Sequence, residues 1–344
     1  MLLLGCGSGQ QSVDSPNGGG AATGGSSLIS VLMDLGRSAE NAFYSFLELL
    51  SGTLGFTSKS TTKKEDVGGY FKSLGAKLGE ASDELEQVAK KSETELDKGG
   101  LLNKSIKEAV DTAKATLRTL KTHLESLGTV GDSNKVGDAA TNTQGITPTD
   151  AELKKALKAL QEIVKSAKEK GMKEPEAGNV AVKIDNADNK DGAKILATDS
   201  AGKPAAGDVG KAVVILSSVS GEEILASIVK SGEDDAALGA AADANTSAIS
   251  FAKGGNGAHL AQDAALASAV SGGIALRSLV KDGKLASGAA DGSAGGKEEV
   301  QKVGVNAVNK LLVAVEDMIK KTVKNVLKIA KEKIDGARAP KSAE

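Results

Sequence analysis

Aromatic side chains make up only 2% of this chain, with five Phe, two Tyr and no Trp. A core with so few rings is built from Leu, Ile, Val and Ala. With only five Pro in 344 residues, this predicts long helices over sheets. There is one cysteine, which excludes an intrachain disulfide and a cysteine-based zinc site. The two histidines, His123 and His259, form no cluster with metal-ligand spacing. His123 lies on the flank of a helical seam, where exposure is expected. No apolar run approaches the roughly 18 residues that a membrane-crossing helix needs. A net charge of −2 gives no general attraction to nucleic acid. No GxxxxGK[ST] loop occurs. The acidic stretch Asp185 to Gly192 fails as a calcium loop, because aligning Gly192 to the turn glycine puts Ala187 and Thr198 at the first and last ligand positions. The sequence therefore predicts no catalysis, no cofactor and no metal site.

The single cysteine sits in Leu2-Leu3-Leu4-Gly5-Cys6. A Leu at −3, a small residue at −1 and Cys at +1 form a lipobox, and Cys6 is the predicted lipidation site. Residues 1–5 contain no basic residue and fall short of the apolar run of about 7–15 residues in a signal peptide. They are a truncated signal and lipobox remnant with its true start upstream, or a trimmed cassette, or the cysteine is there by chance. The sequence after Cys6 favours the lipobox. Residues 6–26, with Gly7-Ser8-Gly9 and Gly18-Gly19-Gly20, make a flexible polar tether. Any membrane attachment then goes through Cys6.

Apolar periodicity predicts helices beyond the tether. Leu28, Leu32, Leu35, Ala39, Phe43, Phe46 and Leu50 recur at spacings of three and four, with Gly52 and Gly55 as stops. A second helix starts at Asp66 with the stripe Phe71, Leu74, Leu78, Leu85 and Val88. Gly68, Gly69, Gly75 and Gly79 weaken it by roughly 1 kcal/mol each, and some of them are expected to allow close helix–helix approach. A third runs from a cap at Asn103 to Gly128 on the heptad seam Ile106, Val110, Ala113, Leu117, Leu120, Leu124 and Leu127. A fourth starts at a Thr149–Glu152 capping box and carries Leu153, Leu157, Leu160, Val164 and Ala167. Its lysines read as a solvated face.

Between 172 and 296 the composition shifts. Segments 172–208, 230–258 and 282–296, like 128–146 before them, are rich in Gly, Ala, Asn, Asp and Ser and read as loops. Shorter apolar pieces lie between, at Val209 to Val219, after a Ser220–Glu223 capping box, and at Leu260 to Val280. The last helix holds its period from Val300 through Leu312 and Val323 to Ile334. At that length it needs a partner surface, and the stripes of the first three helices supply one. That pairing predicts an all-α, elongated bundle with paired N- and C-terminal helices and the loops at the far pole.

Several runs resemble the variable large proteins, also called variable major proteins, of relapsing-fever Borrelia. They are Ser38 to Leu47, Gly68 to Phe71, Asp188 to Ala197, Val219 to Leu225, and Asn309 to Asp317 with Ala337 to Lys341. Ile274 to Ala286 resembles a segment of the related variable surface antigen of Lyme spirochaetes. The resemblance implies an outer-membrane, surface-exposed lipoprotein, mostly helical, expressed one variant at a time. Its partners would be the outer membrane, through the lipid, and host antibodies, which switching between variants evades. On this reading 27–344 is a single antigen domain, with 27–171 and 297–344 as a helical stem and 172–296 as a variable, membrane-distal region. The alternative is an adhesin for host glycosaminoglycan or a plasma protein, supported by the clustered Lys320, Lys321, Lys324, Lys328, Lys331 and Lys333.

Overall fold

The computed structural model describes residue 52 and residues 54–95, 101–184 and 187–338. Cys6 and the Leu28–Leu50 stripe lie outside these residues. Nine α-helices follow one another in the described part: α1 (Lys64–Glu95), α2 (Leu101–Leu127), α3 (Asp150–Glu169), α4 (Asp208–Ser217), α5 (Gly221–Val229), α6 (Ala248–Lys253), α7 (Gly257–Leu260), α8 (Ala267–Leu279) and α9 (Lys297–Arg338). A 3-10 helix, Lys190–Leu196, precedes α4. Among the described residues there is no strand beyond isolated bridges. The fold is a helical bundle.

The long helices form where the stripes predict them. Val110, Ala113, Leu117, Leu120, Leu124 and Leu127 of α2 are all buried, and so are Phe71, Leu74, Leu78 and Leu85 of α1. These two faces pack on each other. In α9, Val300, Val303, Val308, Leu312, Val315, Ile319, Val323, Val326 and Ala330 are buried. With 42 residues α9 is about 60 Å long. It packs on α2, α3, α4, α5 and α8. It meets α1 through the Tyr70 hydroxyl, which donates to Glu316 at 2.5 Å.

Some boundaries differ from the sequence reading. The second predicted helix begins at Lys64, not Asp66, because the Asp66 carboxylate accepts from the Lys63 N–H at 2.8 Å. Asn103 does not cap α2, which begins at Leu101, since Leu101 and Leu102 are good helix formers and extend it. Thr149 stands at the N-cap of α3, but its side chain makes no cap bond. Its hydroxyl is taken by the Asp282 carboxylate. The Ser220–Glu223 capping box is complete, with bonds of 3.1 and 2.7 Å. Of the α1 glycines, a Cβ on Gly68 would meet the Gly128 carbonyl at 2.7 Å and one on Gly75 the Lys121 carbonyl at 3.3 Å, whereas Gly69 has nothing within 4 Å. At Gly79 a Cβ would meet the Lys121 side chain at 3.1 Å, so the expected close approach is real at Gly68, Gly75 and Gly79 and absent at Gly69.

The region read as loop-rich holds more core than its composition implies. Every residue of α8 is buried, so it has no solvent face at all. Gly272 and Gly273 let α6 lie against it: a Cβ there would meet Ala248 and Phe251 side chains at 2.8 and 2.5 Å. Ala193, Ile195, Leu196, Ile249 and Phe251 are buried in segments expected to be loops.

Candidate functional site

Several loops converge at the start of α9. The turn at Gly137 lies against α9, where a Cβ would come within 2.6 Å of the Gln301 carbonyl. Ile146 and Lys284 exchange two backbone bonds of 2.9 Å each, and Leu285 bonds both Asp138 and Ala140 at 2.8 Å. Asp138, itself buried, pairs with Lys284 at 3.2 Å and Lys297 at 3.3 Å. Lys203 donates to the Asn142 carbonyl at 3.0 Å, and Gly288 lies against Pro204. Segment 230–258 lies by the start of α3, through Lys154–Asp234 at 2.9 Å and Lys253–Asp150 at 2.8 Å. The exposed positions of this face include 141–143, 232–234, 239–241, 243–245 and 290–294. Residues 172–173 sit elsewhere, halfway down α9.

Two buried cations hold this face together, and a half-buried one closes a helix end halfway down α9, each on backbone carbonyls. Arg277 of α8 is wholly buried. Its guanidinium donates to Ala252 at 2.8 Å, Leu196 at 2.9 Å and Phe251 at 3.5 Å. These carbonyls close α6 and the 3-10 helix, where helices leave acceptors unpaired and carry partial negative charge. Lys64, at the start of α1, donates to Val280 and Gly283 at 2.7 Å each, just past the end of α8. Lys310 of α9 donates to Leu216 at 2.8 Å and Val219 at 2.6 Å, at the end of α4. Burial pushes Lys64 down to about 8 and Arg277 down to about 9, and it also lowers Lys310. None of the three was singled out in this role from the sequence. A carbonyl partner leaves no mark there.

A profile of the Borrelia lipoprotein family matches residues 39–334. The chain belongs to this family. It is 62% identical over 341 residues to variable large protein 7 of Borrelia hermsii, covering 98% of this chain and 91% of that one. It is 59% identical over 346 residues to variable large protein 21 of the same species, covering 100% and 93%. The crystal structure of the Lyme disease variable surface antigen VlsE of Borrelia burgdorferi superposes with a TM-score of 0.69 over 89% of this chain and 98% of that one. At 24% identity that likeness speaks for the fold. The resemblance seen in the sequence runs therefore extends over nearly the whole chain.

In this Borrelia lipoprotein the N-terminal segment runs along α9. The Gly55 N–H donates to Glu316 at 3.0 Å, Ser58 and Asn309 exchange bonds of 2.8 and 3.0 Å, and Gln301 donates to the Ser60 carbonyl at 3.0 Å. As the chain advances from 55 to 60, its partners step back from 316 to 301. The segment is thus antiparallel to α9, with Gly55 farther from the loop face than Ser60. Phe56 stacks on Tyr70 with ring centroids 4.9 Å apart, so these aromatics pack as core.

Among the described residues no group of three His, Cys, Asp or Glu could hold a metal ion. His123 is half-buried, not exposed as expected, because α2 packs on α3; burial lowers its pKa. His259 lies in α7, away from His123 in sequence and element. Among the described residues no single helix is long and apolar enough to cross a membrane. A cleft of about 670 Å³ opens between α5 and the middle of α9, lined by Met172, Leu225, Val313, Ala314, Met318 and Lys321 among others.

Proposed function

We propose that this chain is an outer-surface lipoprotein antigen, held on the spirochaete's outer membrane by lipid on Cys6 and exchanged for sibling variants to evade host antibody. The observation that carries this reading is the near full-length similarity to variable large proteins. The course of residues 55–60 supports it, since they run from the middle of α9 toward the loop face. Residues 27–171 and 297–344 form the stem in this reading, and 172–296 the distal region, from which residues 172–173 depart. No catalytic step belongs to it.

Sequence change is cheapest where side chains face water. Exposed loop substitutions usually cost within about 0.5 kcal/mol, against roughly 2–5 kcal/mol for Leu→Ala in a core. Variant-specific epitopes should therefore fall on exposed positions such as 141–143, 232–234, 243–245 and 290–294, and spare buried Ile195, Phe251 and α8. Mapping antibodies that protect against one variant tests this. They should lose binding when those exposed positions are replaced by a sibling's residues. Protective, variant-specific antibodies directed to 300–335 would overturn it. The anchor is tested separately: the chain, with upstream codons restored, should incorporate labelled palmitate and partition into detergent, and Cys6→Ser should abolish both.

A further inference from the structure

The solvent face of α9 below its midpoint is one-sided. Its exposed residues from 313 to 328 are Val313, Asp317, Lys320, Lys321, Lys324 and Lys328. Four lysines thus face one aspartate, in a chain whose net charge is −2. Among the described residues no carboxylate pairs with Lys320, Lys321 or Lys324. Lys328 reaches Glu332 at 3.7 Å. At the upper end of this row Val313 is 56% exposed, more than any other large apolar side chain among the described residues. Beside it opens the apolar cleft over Met172, Leu225 and Met318, with Lys321 on its rim.

Solvation accounts for the lysines but not for Val313 or the open cleft. A soluble polyanion would use the lysines and leave the apolar part in water. An anionic bilayer surface uses both. Interfacial binding combines apolar area set into the headgroup region with attraction of Lys and Arg to anionic lipid. The course of the described chain adds a second argument, since from Gly55 to Ser60 it runs along α9 from Glu316 toward Gln301, with Gly55 at the end nearer Lys320. A lipid anchor on Cys6 would hold the body within reach of a bilayer, whose anionic surface this face complements in charge.

We propose that Val313, Lys320, Lys321, Lys324 and Lys328 form a docking face for the anionic headgroup surface of the bilayer that holds the protein. The body then reclines on this flank of α9 instead of standing on its tip, and the cleft is covered by lipid. The choice of bilayer rests on the anchor reading; the affinity for anionic lipid does not.

The full-length Cys6→Ser chain, which carries no lipid, is sedimented with vesicles of phosphatidylcholine with and without phosphatidylglycerol. It should bind only the anionic vesicles, and less as salt rises. Replacing Lys320, Lys321 and Lys324 by Gln should lower the partition about a hundredfold, at about fivefold per lysine. Val313→Ser should lower it severalfold and leave retention on immobilised heparin unchanged. All four positions are exposed, so the variants should melt like the parent. Absence of binding to anionic vesicles, or equal binding by the triple variant, would overturn the proposal. So would heparin retention that outlasts physiological salt together with vesicle binding indifferent to Val313→Ser, which would assign the lysines to a polyanion. Palmitate labelling of the unaltered chain reports on the anchor independently, so the two ideas can fail separately.

Discussion

The α1–α2 pair and the body around α8 are stabilised in different ways. The pair buries two long stripes of Phe, Leu and Val, and its helices keep an outer face in water. The body uses short helices rich in Ala, Ser and Gly. Its central helix has no outer face, and its helix ends are closed by cations from other elements. In the pair, stability is spread along many equivalent layers. In the body it is concentrated at a few backbone contacts. A loop-bearing surface can thus be held by residues behind it while the exposed residues stay free to change.

The largest effect is expected where α9 joins the two regions. Leu312→Asp places a charge on a residue that is 1% exposed, and should cost about 4 kcal/mol or more. Urea unfolding followed by circular dichroism would show it, and an unchanged midpoint would remove α9 as the shared spine. Next is Arg277→Leu, which leaves the carbonyls of Leu196, Phe251 and Ala252 without their buried donor. The expected loss is roughly 3–5 kcal/mol, with protease cuts appearing in 172–296 before α1 and α2 lose helicity. Simultaneous loss of both regions would show that the body and the pair are one cooperative unit.

A third test pits two glycines against each other. Gly273→Ala drives a Cβ to 2.5 Å from Phe251 and should cost about 1–3 kcal/mol, whereas Gly69→Ala meets nothing within 4 Å and should stabilise by up to about 1 kcal/mol. Thermal shifts of opposite sign are the expected readout.

The last effect is a slope with pH and not a loss of packing, at Lys64, which joins the first helix to the end of α8. Burial brings it from 10.5 to about 8 in the folded chain. Between those values the unfolded chain holds more protons than the folded one, so stability gained at this site rises with pH across that window and is flat below it. The stability of the parent relative to Lys64→Met should therefore grow from pH 8 to pH 10. A flat difference would mean that Lys64 is not desolvated by the junction.

What the sequence made legible follows from the same contrast. A half-buried helix writes its seam as a 4-3 alternation, so Leu117, Leu120, Leu157, Leu312 and Val323 can be placed from the sequence alone. A self-contained cap such as Ser220–Glu223 is legible because both partners sit within one turn. Helix α8 is buried all round and so has no stripe; Leu260 to Val280 could be marked apolar but not bounded. Thr149 looked like a cap because Asp282, 133 residues away in sequence, could not be weighed against it. Arg277, Lys64 and Lys310 pair with carbonyls, which every residue has, and no spacing betrays them. The lipidation proposed at Cys6 is read from Leu3, Gly5 and Cys6 alone, and it lies outside the described residues.

The antiparallel course of residues 55–60 along α9 also sets how the molecule bears force. A pull on the N-terminal side acts nearly along the axis of α9, so Gly55–Glu316, Ser58–Asn309 and Ser60–Gln301 are loaded together in shear instead of one after another. Tension enters the long helix at mid-length and is carried by its own backbone ladder. The elements around α8 lie off this line. A pull from the side of Gly55 would thus be borne by α9 before it distorted the far face.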